Sequence, residues 1–332
     1  MGRIDLKVGY SCNDACVHCV VDDFRDALQH SGRRQDKTFE EIQAELTDAR
    51  TRGDQVVITG GEPTIRKDFK EILRFARQLG FEILIQSNGR GFSDPDLAAE
   101  AARLGGISYC IALHGPDAEV HDAVTTRPGS FAETVQGITN LVRLGQCVTN
   151  KVVLSRLNYQ VLPQTVQRLI DLGSCHVSIA FPHAQGRARK LWDQVVPRYR
   201  DVVPFLHQAL DRLRAAGRGA DAETFMFCHM EGYESHVTEI GQQLEDYVEL
   251  NQYGSDRGVE NWSNIRLQIK EKFPPCLSCR FYPVCEGPWN EYADAYGGEE
   301  FLPVAGQRVR HVREIVDGSF RQEFPLLADL PL

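Results

Sequence analysis

The sequence predicts an α/β fold: a parallel sheet of six strands, each followed by a helix, with a smaller cysteine-rich unit appended. Three observations carry that prediction. Short apolar runs alternate with segments of helical period through the first two-thirds of the chain. Several strands begin directly after a helix that ends in Leu-Gly. Beyond 217-GRGAD-221 the alternation stops, and aromatics, prolines and four cysteines dominate to about residue 305.

The candidate strands are 4-IDLKVGY-10, 55-QVVITGG-61, 81-FEILIQSN-88, 107-ISYCIALH-114, 147-CVTNKVVLS-155 and 175-CHVSIAFPH-183. Between them, 38-TFEEIQAELTDAR-50 opens with a Thr-x-x-Glu capping box. The segment 67-KDFKEILRFARQLG-80 stops at glycine, and 94-DPDLAAEAARLG-105 has Pro95 just inside its start. Segments 130–145 and 162–173 continue the series. The amphipathic stretch 196-VPRYRDVVPFLHQALDRLRAAG-217 closes the first unit with Tyr199, Val202, Val203, Leu206, Ala209, Leu210 and Leu213 on one side. Helix-period residues resume at 306-GQRVRHVREIV-316. The expected organisation is therefore residues 1–217, then 218–305, then a C-terminal helix and tail over 306–332. A curled (β/α)6 sheet and an open doubly wound sheet both fit this pattern. A curled sheet carries its chemistry on the C-terminal ends of its strands.

With 332 residues, 42% apolar and 25% charged, the chain has an ordinary globular composition. A net charge of −9 and the lack of a long basic run argue against nucleic-acid binding, Gly186–Lys190 being the densest basic stretch. No apolar run approaches the roughly 18–20 residues of a membrane span. The N-terminus lacks the apolar region of a signal peptide, so the expected location is the cytoplasm. There, ten cysteines point to metal or chemistry rather than disulfides.

Three of those cysteines, Cys12, Cys16 and Cys19, follow the first strand in 10-YSCNDACVHCV-20. Thiolates ligate soft metals and iron–sulfur clusters. Three thiolates on a [4Fe–4S] cube leave one iron with an open coordination position. The competing reading is a zinc site completed by His18 or a distant residue, although zinc sites usually use paired knuckles far apart in the chain.

Cys-x3-Cys-x2-Cys after the first strand, together with 59-TGGEPT-64 at the end of the second, resembles the radical S-adenosylmethionine (radical SAM) superfamily. The resemblance covers roughly residues 4–215 and implies a partial (β/α)6 TIM-type barrel. It implies a [4Fe–4S] cluster on Cys12, Cys16 and Cys19 whose open iron chelates SAM. Cleavage of SAM then gives a 5′-deoxyadenosyl radical that abstracts hydrogen from a substrate. Gly60, Gly61, Glu62 and Pro63 are implied SAM contacts, the glycines for close backbone approach and Glu62 or its neighbouring carbonyls for the SAM ammonium. Ser87 and Asn88 at the end of strand three, and Asn150 on strand five, are further candidates. A turn or a satisfied strand-end amide is the alternative for each. His18 stands where the family often has an aromatic carbocycle and could stack on adenine. Ala112 stands where serine is common, and His114 shares its strand face. Cys110, Cys147 and Cys175 read as buried free thiols.

The second set, Cys228 with Cys276, Cys279 and Cys285 of 276-CLSCRFYPVC-285, supplies four thiolates, enough to close one site. Zinc fits the spacing alone. Beside a radical SAM barrel the set resembles the SPASM and twitch auxiliary-cluster domains. Because no cysteine follows Cys285, a single fully ligated [4Fe–4S] cluster is the better match. His229, Glu231, Tyr233, Glu286 and Glu291 are candidates for a substrate surface, 297-GGEEF-301 reads as a loop, and no residue is singled out as a catalytic acid or base.

The resemblance implies a radical SAM oxidoreductase supplied by flavodoxin or ferredoxin. Its substrate is a ribosomal peptide undergoing maturation or a small molecule such as a sugar, nucleoside or aminoglycoside. The short lead into strand one favours a small or short substrate, while auxiliary-cluster domains favour the peptide. A zinc-stabilised binding protein without catalytic activity is the alternative of another class.

Overall fold

The computed structural model describes residues 2–244, 247–250 and 259–321. Seven parallel strands stand side by side in sequence order: β1 (Gly2–Lys7), β2 (Gly53–Thr59), β3 (Glu82–Ser87), β4 (Ile107–Ala112), β5 (Val148–Val153), β6 (His176–Ala180) and β7 (Gly219–Glu223). Beyond β1 the sheet continues with β8 (Tyr247–Leu250), parallel to β1, and β9 (Val259–Asn261), antiparallel to β8. A doubly wound sheet reverses its strand order at a switch point. Here the order never reverses over the first seven strands, which is the order of a barrel left open.

The crossovers are α1 (Asp22–His30), α2 (Phe39–Ala49), α3 (Phe69–Gln78), α4 (Pro95–Leu104), α5 (Ala118–Thr125), α6 (Ser130–Arg143), α7 (Leu162–Leu172), the short α8 (Arg187–Lys190) and α9 (Trp192–Val195), and α10 (Tyr199–Ala215). The capping box forms as the sequence predicts: the Thr38 hydroxyl accepts from the Glu41 amide at 3.2 Å, and the Glu41 carboxylate accepts from the Thr38 amide at 2.7 Å. Asp94 caps α4 ahead of Pro95 by accepting from the Asp96 amide. Alternate strand residues, including Ile4, Leu6, Val56, Ile58, Ile83, Ile85, Tyr109 and Ile111, are fully or almost fully buried and join the apolar faces of the helices in one core. Each buried aliphatic side chain is worth roughly 1.5–3 kcal/mol.

The opposite face carries polar pairs between neighbouring strands. Lys151 Nζ donates to Glu223 at 2.5 Å, Ser178 donates to Asp221 at 3.0 Å, and Thr59 donates to Gln86 at 3.3 Å.

Three expectations are corrected. The stretch 217–221, read as a boundary, opens the seventh strand, held in register by Ser178 opposite Asp221 and Ala180 opposite Glu223. Cys147 and Cys175, read as free thiols, form a disulfide. The start of β6 runs beside β5, with Cys175 N donating to Val148 O, and this sets the two Cα atoms 5.7 Å apart, within bridging range. The expected helix at 306–316 shrinks to α14 (Arg313–Val316), because Val309 N donates to Arg280 O rather than within a helix and ties the preceding segment down. Residues 322–332 of the expected tail lie outside the described residues.

The appended unit contains α11 (Thr238–Leu244), α12 (Trp262–Gln268) and α13 (Asn290–Tyr296). It packs on the barrel through aromatics: the Tyr292 ring meets Tyr199 at 4.8 Å and Phe181 at 5.6 Å, both edge-on, and the Tyr292 hydroxyl accepts from the Tyr199 amide.

Candidate active site

Cys12, Cys16 and Cys19 lie on the loop between β1 and α1, at the C-terminal end of the sheet. Other loops hold this one on several sides. From the β3 loop, Asn88 Nδ2 donates to Asn13 Oδ1 at 2.7 Å and Asp14 Oδ2 at 3.0 Å. Arg90 donates to Asn13 O at 2.8 Å and Asp14 Oδ1 at 2.6 Å. After β4, Thr126 Oγ1 donates to Ala15 O and Arg127 Nε to Asn13 O. After β6, Arg187 donates its amide to Cys19 O and a guanidinium N–H to Ala15 O. Asn13, Asp14, Arg90, Arg127 and Arg187 escaped the sequence reading, since they carry no motif and act only through the loop packing.

Burial pushes all three thiols up, Cys12 to about 12 and Cys16 well above its ordinary value. A thiolate in this loop therefore needs a cationic partner, which iron supplies. Among the described residues no group of three or more His, Cys, Asp or Glu side chains is drawn together as ligands of one ion.

Gly60 and Gly61 let two backbone segments approach closely. A Cβ on Gly60 would lie 2.2 Å from Gly9 O, and one on Gly61 would lie 2.2 Å from Ser11 O. Gly60 also has φ +139°. The motif thus lies flat against the chain entering Cys12, with Gly61 N donating to Gly9 O and Glu62 N to Ser11 O. Pro63 follows as the first residue of a single 3-10 turn that the Glu62 side chain caps.

Glu62 is buried, and its carboxylate accepts four hydrogen bonds: from Thr64 N, Thr64 Oγ1, Ser87 Oγ and Asn88 N, at 2.6–3.0 Å. Burial pushes its carboxyl up, against the pull of those donors. Through these bonds the carboxylate joins the β2 and β3 loops. Ser87 is equally committed, donating to Glu62 and accepting from Gly89 N.

Asn150 is not brought to this site. Its amide donates to Ile111 O and its carbonyl accepts from Ser174, on the same strand face as the buried Val148 and Val152. The two-residue period gives the other face to Lys151. His18 does sit beside the cysteines, its ring centroid 4.6 Å from that of His114 in an edge-to-face contact. Burial lowers its pKa to about 4, so it is a neutral ring. His114 is buried and accepts from Val153 N, so it meets the site through His18 while serving the strand.

Cys228 joins Cys276, Cys279 and Cys285 around one cavity, lined otherwise by Met226, Phe227, Phe273, Phe281 and Phe301 among others. Burial pushes the Cys285 thiol up to about 11, and Cys228 also rises. Four thiols around an apolar cavity fit a fully ligated cluster. Beside it Glu286 pairs with Arg266 at 2.7 Å and Lys270 at 2.9 Å, a buried set in which Lys270 also pairs with Glu239. Of the other appendage candidates, His229 Nε2 bonds Glu300 O, Tyr233 donates to Asp211, and Glu291 lies 3.6 Å from His183. Glu231 is exposed.

The basic run at 187–190 is neutralised within the fold. Arg187 and Lys190 pair with Asp22, and Arg189 with Asp23.

The sequence profile of the Radical SAM superfamily matches residues 6–191. This chain belongs to the radical SAM superfamily. It is accordingly an enzyme whose cofactors are SAM and a [4Fe–4S] cluster. It is 32% identical to the mycofactocin maturase MftC of Mycolicibacterium smegmatis over 85% of this chain and 76% of that protein. It is 29% identical to an Fe-coproporphyrin III synthase of Methanosarcina barkeri over 86% of this chain and 82% of that protein. The fold matches the crystal structure of Streptococcus suis SuiB bound to SAM, with a TM-score of 0.62 at 16% identity, over 91% of this chain and 76% of the other. No helix among the described residues is long and apolar enough to cross a membrane.

Proposed function

We propose that this enzyme matures a ribosomally made peptide, with Cys12, Cys16 and Cys19 holding the cluster that binds SAM. The observation that carries the reading is the 32% identity to a mycofactocin maturase across most of both chains, with the three-cysteine loop intact. When bound, the cluster and SAM supply a hydrogen-abstracting 5′-deoxyadenosyl radical. The protein's own part is positioning. Asn88, Arg90, Arg127 and Arg187 fix the loop, Gly60 and Gly61 press the β2 loop against it, and Glu62 ties β2 to β3. The backbone carbonyls around Glu62 receive the SAM ammonium, and His18 offers a neutral ring for stacking.

In this reading the catalytic unit spans residues 1–217, extended by β7, and the auxiliary unit follows. Cys228, Cys276, Cys279 and Cys285 close a second [4Fe–4S] cluster, and flavodoxin or ferredoxin supplies electrons.

The test is anaerobic incubation of reconstituted enzyme with SAM, dithionite and a short peptide encoded beside its gene. A mass change in the peptide together with 5′-deoxyadenosine supports the reading. 5′-Deoxyadenosine without peptide change, whichever neighbouring peptide is offered, contradicts it. The likeness to Fe-coproporphyrin III synthase favours a second reading, a small-molecule substrate. Turnover of a porphyrin in the same assay would support that one.

A further inference from the structure

We propose that the surface around the auxiliary cysteine cavity is the docking site of an acidic one-electron carrier protein. The inference rests on the reading that Cys228, Cys276, Cys279 and Cys285 hold a cluster.

Two large apolar side chains stand unusually far out of the protein here: Leu277 is 58% exposed and Leu302 is 70% exposed. Leu277 lies between two of the cysteines, and Leu302 lines the cavity. Tyr282, also on the cavity, carries two cations over its ring, Lys272 Nζ at 4.2 Å and the Arg308 guanidinium at 5.7 Å from its centroid. Each is anchored as well: Lys272 donates to Tyr282 O at 2.9 Å, and Arg308 donates to Leu277 O. The apolar centre, the aromatic and the cations are therefore one connected surface over the cysteines. Glu271 is the acidic residue that lines the same cavity.

The charge of this patch opposes that of the chain. The protein carries −9 overall, yet two fixed cations flank exposed leucines over its auxiliary cysteines. An apolar centre with a charged rim is the usual anatomy of a transient interface, and complementary charge mainly raises the association rate. An acidic partner is repelled by most of this molecule and attracted here. Electron transfer also requires the carrier to come close to its acceptor, and the four cysteines lie directly beneath. One electron leaves the reduced carrier and enters the cluster, and no bond is made or broken.

The experiment mixes anaerobically reconstituted holoenzyme with reduced flavodoxin in a stopped-flow instrument across a salt series and follows flavodoxin oxidation. The variants are Lys272→Glu with Arg308→Glu, and separately Leu277→Ser with Leu302→Ser. The charge variant should lose about tenfold in second-order rate at low salt and most of its salt dependence. The leucine variant should lose rate at every salt concentration. Iron content and the rate of reduction by dithionite, which needs no docking surface, should match the parent enzyme in both. The single variant Arg308→Gln, on an exposed side chain, serves if the double variants lose iron. Parental flavodoxin rates in variants of parental iron content would overturn the proposal. So would an unchanged flavodoxin rate with a raised KM for the peptide, which would assign the patch to the substrate. A parent enzyme holding only about four irons per chain would instead overturn the cluster reading beneath it.

Discussion

The site depends on single residues whose roles are set by how near their neighbours lie. Gly61→Ala would drive a methyl into Ser11 O, 2.2 Å away with backbone on both sides. The expected cost is about 1–3 kcal/mol of overpacking. It should show as a lower thermal midpoint and as loss of iron from the Cys12–Cys19 loop during desalting. Asp22 tests electrostatics at the same scale. Burial raises its pKa, but Lys190, Arg187 and Arg25 outweigh that, so the folded value lies below the ordinary 3.8. A depressed carboxyl stabilises the fold above its unfolded pKa, and that contribution disappears as pH falls through the folded value. Urea midpoints of cluster-free protein should therefore fall between pH 5 and pH 3 by more in the parent than in Asp22→Asn, with the two curves converging at the acid end. Parallel curves would show that Asp22 contributes nothing.

Residue identity was legible only where a motif carried it. The spacing of Cys12, Cys16 and Cys19 and the letters of 60-GGEP-63 stood out in the sequence. The carboxylate role of Glu62 was not visible there, because it depends on Ser87 and Asn88, some 25 positions away. Asn150 is a candidate through the family resemblance, as a polar residue on strand five. Which face it occupied followed from the strand register, and that gave the inner face to Lys151.

Among the elements, the loop from β6 into α8 acts as a clasp. Gly186, at φ +56°, leaves no room for a side chain beside Cys19 O, and Arg187 reaches both Cys19 O and Ala15 O. Arg187→Met should release the loop on that side without touching a cysteine. The expected result is a cluster that still assembles but binds SAM several-fold more weakly, read by equilibrium dialysis and by the change SAM makes in the electron paramagnetic resonance spectrum of the reduced cluster. Unchanged SAM affinity and spectrum would mean that Arg187 serves only its pairing with Asp22.

Six of the strands and the longer crossover helices α2, α3, α4, α6, α7 and α10 could be read in advance from period, caps and Leu-Gly stops. β7 could not. Its residues, 219-GADAE-223, carry neither the β-branched nor the aromatic types that mark strands. It exists because β6 offers an open edge, and because Asp221 and Glu223 find partners in His176, Ser178 and Lys151 once they are there. The Cys147–Cys175 bridge was hidden for a similar reason, since only the pairing of β5 with β6 brings together residues 28 apart.

At the scale of the whole molecule, the barrel and the appended unit share one aromatic seam in which Tyr199, Phe181, Phe225, Tyr292 and Phe301 meet. The sequence announced two cysteine sets with different numbers of ligands, three at the mouth of the sheet and four in the appendage. In the structure the three lie on a clasped loop and the four line one apolar cavity. The central claim is that the first set leaves an iron open for SAM while the second does not. Its most direct test is the iron and sulfide content of anaerobically reconstituted protein, combined with SAM cleavage. The parent should hold about eight irons per chain. Replacement of Cys228, Cys276, Cys279 and Cys285 by alanine should leave about four, with reductive cleavage of SAM to 5′-deoxyadenosine retained. Replacement of Cys12, Cys16 and Cys19 should also leave about four, with cleavage abolished. Colourless protein carrying stoichiometric zinc, or SAM cleavage that survives loss of the first set, would contradict the account.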